Sequence, residues 1–434
     1  MITRYDVVAA VLMTSAWSVA SAQTGRFPNF EAAAGSAQED DRATPAAATA
    51  PVPNRRSAPA AGVPWNASRQ PAKSPSHGSR STGTPARRLT PAQRGIDPNA
   101  KPIGARLGQP DVLKAYELTK TAQTEDAYTQ VIDLCRSGMQ KGVESRMAAY
   151  ARKLSAWAYN RRGEARADSG RTQEAFDDFD AAVGMESGQW RAIHNRGVSH
   201  AMLGNQEAAI ADFTRTLELN PKFANAWFNR GELKYENREF VAAVQDYNQA
   251  LRLAPRDAAA LNSRGHALYR LRRSAEAMAD YNKAIEIDPS SAAAFVNRGD
   301  LQADQGNFAQ AARNYREAIQ VNPSLGRAYQ SAAWLMATCP EESFRNADLA
   351  IEAAQKAIEL DGNTDYRYLE TLAAAQANAG EFEDAIKTQE QAMETAPDAV
   401  VQVYRRRIAE FRAGRPHREP SPKFAAGARA VSRR

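Results

Sequence analysis

The stretch 227–255, WFNRGELKYENREFVAAVQDYNQALRLAP, decides the fold of this chain. Its apolar residues fall at helical spacing in two runs, 227–235 and 240–253, which are separated by polar residues near Asn237. Pro255 cannot continue the second helix, because it lacks a backbone N–H and its ring clashes with the preceding turn. The stretch therefore predicts an antiparallel pair of helices followed by a turn.

This pattern repeats every 34 residues along the chain. A glycine on the first helix and an alanine on the second are small, so that the two backbones can approach closely where the helices cross. One hairpin cannot bury its apolar face alone, and a fixed period of this length indicates a solenoid of stacked copies. The repeated positions are Gly163, Gly197, Gly231, Gly265 and Gly299; Ala175, Ala209, Ala243, Ala277 and Ala311; Phe179, Phe213, Tyr247, Tyr281 and Tyr315; and Pro221, Pro255, Pro289 and Pro323.

These residue types, in this order within one period, resemble the tetratricopeptide repeat (TPR) family. Five units over residues 156–325 match without an insertion or deletion, although Ser187 replaces the expected proline and Thr216 the expected alanine. The resemblance implies an all-α fold: a right-handed TPR solenoid of antiparallel helix pairs, flanked by disordered tails.

The repeat array extends beyond these five units. Ala357 follows Ala318 by 39 residues, which predicts a five-residue insertion near residues 337–340, in the loop between two helices. At the other end, residues 143–168 are predicted to form one long helix that leads into the first unit. The predicted divisions are 1–22, signal peptide; 23–108, disordered Pro/Ala/Ser/Arg-rich linker; 109–155, N-terminal capping helices; 156–325, five regular TPR units; 326–398, two irregular TPR units; 399–413, C-terminal capping helix; and 414–434, basic disordered tail.

The first 22 residues have the layout of a bacterial-type secretory signal peptide. Arg4 precedes an apolar stretch over residues 7–20, and the small residues Ala20, Ser21 and Ala22 form a cleavage-type motif. The apolar stretch is too short to span a bilayer. We therefore expect export to the periplasm or cell envelope; the alternative is an uncleaved, disordered start.

Charge is distributed unevenly between the predicted solenoid and its extensions. The linker 23–108 has twelve basic and five acidic residues and the stretch 412–434 has seven and one, so a chain with a net charge of +6 must have an acidic solenoid. Such extensions are suited to anionic lipid, an anionic wall polymer or nucleic acid, each by an attraction that salt weakens. The alternative is that these charges only keep disordered segments soluble.

The two cysteines, Cys135 and Cys339, lie at opposite ends of the predicted array. Because units that are not neighbours do not touch in a solenoid, we expect no disulfide between them. Cys135 is expected to be a small core residue. Cys339 falls in the inserted loop and is the better candidate for an exposed thiol.

The sequence contains no motif that predicts catalysis. It has no paired-cysteine zinc pattern, no histidine–glutamate metalloprotease motif, no glycine-rich phosphate loop and no nucleophile elbow. His194 and His200 are six residues apart on a predicted helix, which is the wrong spacing for joint metal ligation. We therefore expect a non-catalytic protein without a cofactor or a metal.

An arginine stands directly before each repeated glycine, where the TPR family usually has leucine, and an aspartate recurs sixteen residues later on the second helix. Because the two types recur together, we predict Arg–Asp bridges between paired helices, with the arginine stem packed along the crossing. The alternative is that the arginines face the groove and hold an anionic ligand. The arginines are Arg162, Arg196, Arg230, Arg264 and Arg298; the aspartates are Asp178, Asp212, Asp246 and Asp280, and Asn314 breaks the series.

The TPR resemblance also implies a binding site, since in that family the first helix of each unit lines a concave groove. Asparagines there can hold the backbone of an extended peptide, and aromatic residues provide apolar contact area. The lysine positions of the carboxylate clamp in chaperone-binding members hold Asn160, His194, Phe228 and Asn262 instead, which argues against such a clamp. The candidate peptide-binding groove comprises Trp157, Asn160, Arg191, His194, Asn195, Phe228, Asn229, Tyr235, Asn262, His266, Tyr269 and Asn297.

Two functions from different classes remain open. The first is an exported, monomeric TPR scaffold or adaptor that binds a protein or peptide in its concave groove, with tails that tether or localise it. The second is an envelope component that binds an anionic polymer or membrane surface through its basic tails, with the solenoid as a spacer. No specific nucleic-acid binding is expected.

Overall fold

The computed structural model describes residues 109–363 and 365–421. These residues form seventeen α-helices, a single 3-10 turn and no strand, which confirms the all-α prediction for the described part of the chain. The predicted signal peptide 1–22, the linker 23–108 and residues 422–434 of the predicted tail lie outside the described residues. The helices are α1 (Pro110–Thr119), α2 (Glu125–Gln140), α3 (Ser145–Asp168), α4 (Thr172–Met185), α5 (Trp190–Met202), α6 (Gln206–Leu219), α7 (Ala224–Glu236), α8 (Phe240–Leu253), α9 (Ala258–Arg270), α10 (Ser274–Ile287), α11 (Ala292–Asp304), α12 (Phe308–Val321), α13 (Gly326–Thr338), α14 (Ala347–Asp361), α15 (Tyr366–Ala379), α16 (Phe382–Thr395) and α17 (Asp398–Arg412).

The helices fall into two compact units, one that ends at Pro255 and one that begins at Arg256. In the N-terminal unit, α1 and α2 pack on α3, and the hairpins α3–α4, α5–α6 and α7–α8 follow one another. In the C-terminal unit, the hairpins α9–α10, α11–α12, α13–α14 and α15–α16 do the same, and α17 packs on α16. The predicted long helix is α3, so the predicted division between residues 155 and 156 falls inside one helix.

Each repeated glycine lies where the two helices of its hairpin cross. In α9–α10, a Cβ atom on Gly265 would lie 2.8 Å from the Cε1 atom of Tyr281 and 3.3 Å from the carbonyl oxygen of Ala277, so only glycine fits without a shift. The same glycine-to-ring contact recurs sixteen residues along in the other four hairpins, which confirms that the glycines occupy equivalent places. The other pairs are Gly163–Phe179, Gly197–Phe213, Gly231–Tyr247 and Gly299–Tyr315.

The predicted Arg–Asp bridges are present. Arg230 Nε and Nη2 donate to the two carboxylate oxygens of Asp246, both at 2.8 Å, and the side chains are only 13% and 4% exposed. Arg230 Nη1 donates to Thr214 Oγ1, on the second helix of the preceding hairpin, at 3.0 Å. The guanidinium is therefore engaged in holding two hairpins together, which argues against its use for an anionic ligand. The equivalent bridges are Arg162–Asp178, Arg196–Asp212 and Arg264–Asp280, and Arg298 bonds Asn314 instead.

The inserted loop lies between α13 and α14, as predicted, and contains the 3-10 turn Glu342–Phe344. Cys339, the better candidate of the two cysteines for an exposed thiol, is buried: the residue is only 2% exposed and belongs to the apolar cluster of α12–α15. Burial raises the pKa of the Cys339 thiol to about 11. Cys135 is fully buried, as predicted, and burial raises the pKa of its thiol to about 11 as well.

Part of the predicted C-terminal tail packs against the repeats. Gly414, with φ of +67°, turns the chain after α17, and residues 416–421 then lie against α13 and α15 of the same unit. We call residues 416–421 the docked segment. The prediction of a disordered tail from residue 414 is therefore wrong for this segment. Its composition, rich in proline and charged residues, is typical of disorder and does not reveal the hydrogen bonds that it makes to α13 and α15.

Candidate functional site

The first helices of successive hairpins meet along a line of hydrogen-bonded polar side chains, and we call the surface that they form within a unit its inner face. In the N-terminal unit, Asn195 Nδ2 on α5 donates to Asn160 Oδ1 on α3 at 3.1 Å. The next such contact joins Asn229 Nδ2 on α7 to His194 Nε2 on α5, at 3.1 Å. All four side chains are buried. These predicted groove residues therefore hold adjacent first helices together, and their amides are not presented to solvent.

The C-terminal unit has the same arrangement. Asn297 Nδ2 on α11 donates to Asn262 Oδ1 on α9 at 2.8 Å, and Gln330 Nε2 on α13 donates to Thr371 Oγ1 on α15 at 2.9 Å. Arg327 Nη2 adds a bond to Asn297 Oδ1 at 2.9 Å. Satisfied buried polar groups of this kind fix the register between neighbouring helices.

His194 is neutral in this setting. The ring is 1% exposed and lies 5.5 Å from the ring of Phe213 and 4.8 Å from that of Phe223. Burial lowers the pKa of His194 to about 4, because the charged form would lose its hydration. The residue therefore acts as a neutral hydrogen-bonding group between first helices.

The predicted aromatic residues of the N-terminal unit are mostly covered. Trp157 is half-buried, with its ring edge-on to Tyr128 at 5.7 Å between centroids. Phe228 is only 9% exposed, and half-buried Tyr235 packs 5.3 Å from Phe240. Within the described residues of this unit, these side chains form no open apolar platform.

The three remaining predicted residues contact other side chains. Arg191 lies over the ring of Trp190, at 4.2 Å from its centroid. His266 and Tyr269 stack with 6.4 Å between centroids, and the Tyr269 hydroxyl donates to Asp304 on α11. Burial, together with nearby arginines, lowers the pKa of His266 to about 3. Of the twelve predicted residues, Tyr269 alone lines the cavity described next.

An open cavity of about 860 Å³ lies on the inner face of the C-terminal unit. The inner-face helices α9, α11, α13 and α15 contribute Tyr269, Asp304, Trp334 and Glu370, and the docked segment contributes Glu419 to one wall. The Trp334 ring provides an apolar surface, while the carboxylates surround it with acceptors for N–H groups. We call this cavity the inner-face groove.

The carboxylates beneath the groove are held by buried hydroxyls. Tyr315 Oη donates to Asp300 Oδ1 at 2.9 Å, and Tyr404 Oη donates to Glu370 Oε2 at 2.6 Å. Arg407 also bonds Glu370. In contrast, the side chain of Asp304 is 50% exposed at the rim. The groove therefore has a fixed floor and an accessible carboxylate at its rim.

The sequence contained a signal for the groove that the prediction did not use. Gln330 and Trp334 follow Val296 and Asp300 by one period of 34 residues, although the glycine and arginine that mark the earlier units are missing there. Continuing the same count past Asn297 would have placed both side chains on the inner face. Glu419 and Pro420, which line the same cavity, lie outside the repeat, so its period could not predict them.

Two kinds of feature are absent from the residues that the structure describes. In that part of the chain, no group of three or more His, Cys, Asp or Glu side chains is placed to hold a metal ion. None of the helices there has the length and apolar character that crossing a bilayer requires.

Comparisons with known proteins place the repeats. Two family models, each described as tetratricopeptide repeat, match the chain, one over residues 194–257 and 233–292 and the other over residues 292–325. A comparison with curated proteins found no match.

Solved structures with similar folds cover parts of the chain. The pilF protein of Pseudomonas aeruginosa is 18% identical over 51% of this chain and 98% of its own, with a TM-score of 0.44. A tetratricopeptide repeat protein of Parabacteroides merdae is 17% identical over 62% of this chain and 98% of its own, with a TM-score of 0.44. YrrB, described as a TPR protein with an unusual peptide-binding site, is 21% identical over 40% of this chain and 89% of its own, with a TM-score of 0.35.

Proposed function

We propose that this chain, which is a tetratricopeptide repeat protein, is an exported, non-catalytic scaffold that binds a protein or peptide partner on its inner face. The observation that carries the proposal is the inner-face groove of the C-terminal unit. It combines an exposed carboxylate at Asp304 with the apolar ring of Trp334 in a cavity of about 860 Å³. Convergent polar groups around an apolar surface are what a cleft needs to orient an extended peptide.

The groove supports binding rather than chemistry. Asp300 and Glu370 accept hydrogen bonds from tyrosine hydroxyls, and the thiol of Cys339, which borders the groove, has a pKa raised to about 11 by burial. A thiol with such a pKa is overwhelmingly protonated at neutral pH and is a poor nucleophile. A scaffold without a cofactor or metal is therefore the function that we propose, with a monomer as its simplest form.

Export is proposed from the first 22 residues, whose apolar stretch and small-residue motif have the layout of a cleavable signal. The test is the intact mass of the protein purified from its native host together with cell fractionation. A chain that begins at Gln23 in the envelope fraction supports export. A full-length chain in the cytoplasm contradicts it.

Partner binding is tested by proximity labelling with the full chain in its native host. We expect the double variant Asp304→Asn with Trp334→Ala to lose the labelled partner, since it removes the accessible carboxylate and the apolar ring. Val241→Ala is the matched control, because Val241 is 60% exposed on the second helix of a hairpin. If the double variant labels the same partner as the wild type at the same level, the groove is not the binding site.

A second candidate function is suggested by the basic composition of residues 23–108 and 422–434. In this alternative the extensions hold the protein at an anionic polymer or membrane surface, with the repeats as a spacer. Sedimentation of the full chain with phosphatidylglycerol vesicles separates the two candidates. Binding at low salt that is lost at high salt favours the surface role, whereas no binding at either salt concentration leaves the scaffold.

A further inference from the structure

The end of α13 is not closed by its own turn. The last four carbonyls of a helix have no partner inside the helix, and a following glycine usually closes the turn by returning N–H groups to them. Here the chain runs into Pro340, which has no N–H, and the loop donates to only two of the four carbonyls. Those two bonds are Cys339 N–H to Leu335 at 3.0 Å and Asn346 N–H to Met336 at 3.1 Å.

The docked segment donates to the other two carbonyls. Arg418 Nη1 donates to the carbonyl oxygen of Ala337 at 2.9 Å, and the backbone N–H of Glu419 donates to that of Thr338 at 2.9 Å. Arg418 Nη2 also donates to Asn378 Oδ1 on α15, at 2.7 Å. One arginine and one backbone amide thus complete the end of a helix more than 80 residues earlier in the chain.

The same segment forms one wall of the inner-face groove. Glu419 and Pro420 line the cavity, and the ring of His417 lies 5.9 Å from that of Trp334. The imidazole of His417, whose Nε2 atom lies 3.7 Å from Glu419 Oε1, helps to hold the pKa of Glu419 below its usual range. An extended piece of chain therefore already occupies one end of the groove, in contact with the tryptophan on which the proposed function depends.

The contacts that hold the docked segment are weak enough to be broken without unfolding the unit. They are mainly hydrogen bonds, whose net contribution is modest because the same groups bond to water when the segment is released. Pro420 is exposed, and His417, Arg418 and Glu419 are only half-buried. Attachment to α17 keeps the segment at an effective concentration of millimolar order, so weak contacts are sufficient for occupancy.

We infer that the end of the groove beside α13 is a binding site for an extended peptide that carries arginine. The arginine donates to the α13 carbonyl of Ala337 and to Asn378, and the next backbone N–H donates to Thr338. The docked segment occupies this site in cis until a partner's arginine-bearing segment replaces it. The inference rests on the proposed function, because it names the class of peptide that the groove takes.

The test measures binding of a labelled peptide with the sequence of residues 414–421, GRPHREPS, to the full chain by fluorescence anisotropy. In the wild-type protein the tethered segment competes with the peptide. Arg418→Ala weakens the binding of the docked segment in cis. Because the segment competes at a millimolar effective concentration, we expect the peptide to bind this variant at least about tenfold more tightly than the wild type. Arg415→Ala is the matched control, since it removes the same charge at an exposed residue of the same tail and should bind like the wild type.

A second variant tests the backbone contact of the docked segment, and a second peptide tests whether the arginine is required. Glu419→Pro removes the backbone donor to Thr338 and should also bind the peptide more tightly than the wild type does. A peptide with alanine in place of the arginine equivalent to Arg418 should lose binding to both variants. Equal affinities for all four proteins, or equal binding of the alanine peptide, would overturn the inference. That result leaves the proposed function intact if the Asp304→Asn, Trp334→Ala variant still loses its labelled partner.

Discussion

The hairpins α7–α8 and α13–α14 share one helical architecture but hold it together by different means. In α7–α8, Arg230 bridges to Asp246, and Gly231 admits the ring of Tyr247 against the backbone. Arg238, with φ of +63°, takes the left-handed conformation that closes the turn between the helices. The repeated arginine, aspartate and glycine of this hairpin all serve to hold its helices together.

In α13–α14 the corresponding markers are absent. Ala332 and Ala333 stand one period after Arg298 and Gly299, and a loop that begins with a buried cysteine replaces the left-handed turn. The helix end is completed by Arg418 from the tail instead. The difference teaches that regular positions serve the stack, whereas departures from the repeat leave carbonyls and side chains open to other segments.

The largest expected loss of stability comes from removing the Arg–Asp bridge that the regular hairpins share. Arg264→Leu leaves Asp280, whose side chain is only 8% exposed, without its guanidinium partner at 2.6 Å. An uncompensated buried charge of this kind should cost about 3 kcal/mol of unfolding free energy. Urea unfolding followed by circular dichroism measures the loss.

Arg230→Leu is the control for this prediction. Lys234 Nζ lies 2.8 Å from Asp246, so the aspartate keeps a cation after the arginine is removed. We expect the loss to be roughly half of that for Arg264→Leu. If both variants unfold like the wild type, the bridges do not stabilise the hairpins and the comparison with α13–α14 loses its basis.

The second effect concerns the helix crossing. Gly265→Ala places a Cβ atom 2.8 Å from Tyr281, and we expect a loss of about 2 kcal/mol from overpacking, although alanine is the better helix former. Gly184→Ala is the opposite control: this glycine lies in α4, where an added Cβ meets nothing within 4 Å, and stability should rise by up to about 1 kcal/mol. Thermal unfolding of the two variants should therefore shift in opposite directions.

The third effect is a pH dependence of the polar line between first helices. The pKa of His194 is about 4 in the folded protein, below its ordinary value near 6.5, so the unfolded chain binds more protons between these values. Stability is complete above pH 6.5 and falls as the pH drops towards 4, by about 1 kcal/mol at pH 5.5.

His194→Asn sharpens this prediction, because it installs the residue that stands at the same repeat position in Asn160 and Asn262. The variant should lose that part of the decline, as measured by urea unfolding at several pH values between 5.5 and 7.5. An unchanged pH profile in the variant would mean that His194 does not titrate with unfolding.

The smallest effect is at the turn. Arg238 adopts φ of +63° where the equivalent residues Gly204 and Gly306 have φ of +82° and +79°. Side chains are strained in this conformation, so Arg238→Gly should stabilise the protein by about 1 kcal/mol, and Gly204→Ala should destabilise it by a similar amount. Differential scanning calorimetry on both variants checks the sign, and a loss of stability in Arg238→Gly would contradict the argument.

Much of the fold could be predicted because its causes are local and repeated. The apolar spacing of residues 227–253 sets two helices, and the pairing of Arg230 with Asp246 was visible from their common period. The candidate site was harder. Asn195 and Asn229 were correctly placed on first helices, but their hydrogen bonds to the next helix, and hence their burial, depend on how hairpins stack.

The amino-acid order was sufficient for the period, the hairpin, the glycine crossings and the Arg–Asp bridges, because each arises from contacts within one unit or between neighbours and is written again in every copy. Folding in three dimensions was needed to bury Cys339, to bring Trp334 beside Glu370, and to lay Arg418 across the end of α13. Those contacts join segments of unrelated sequence. Every residue has a backbone carbonyl, so a hydrogen bond to the end of a helix does not depend on which residues form that end.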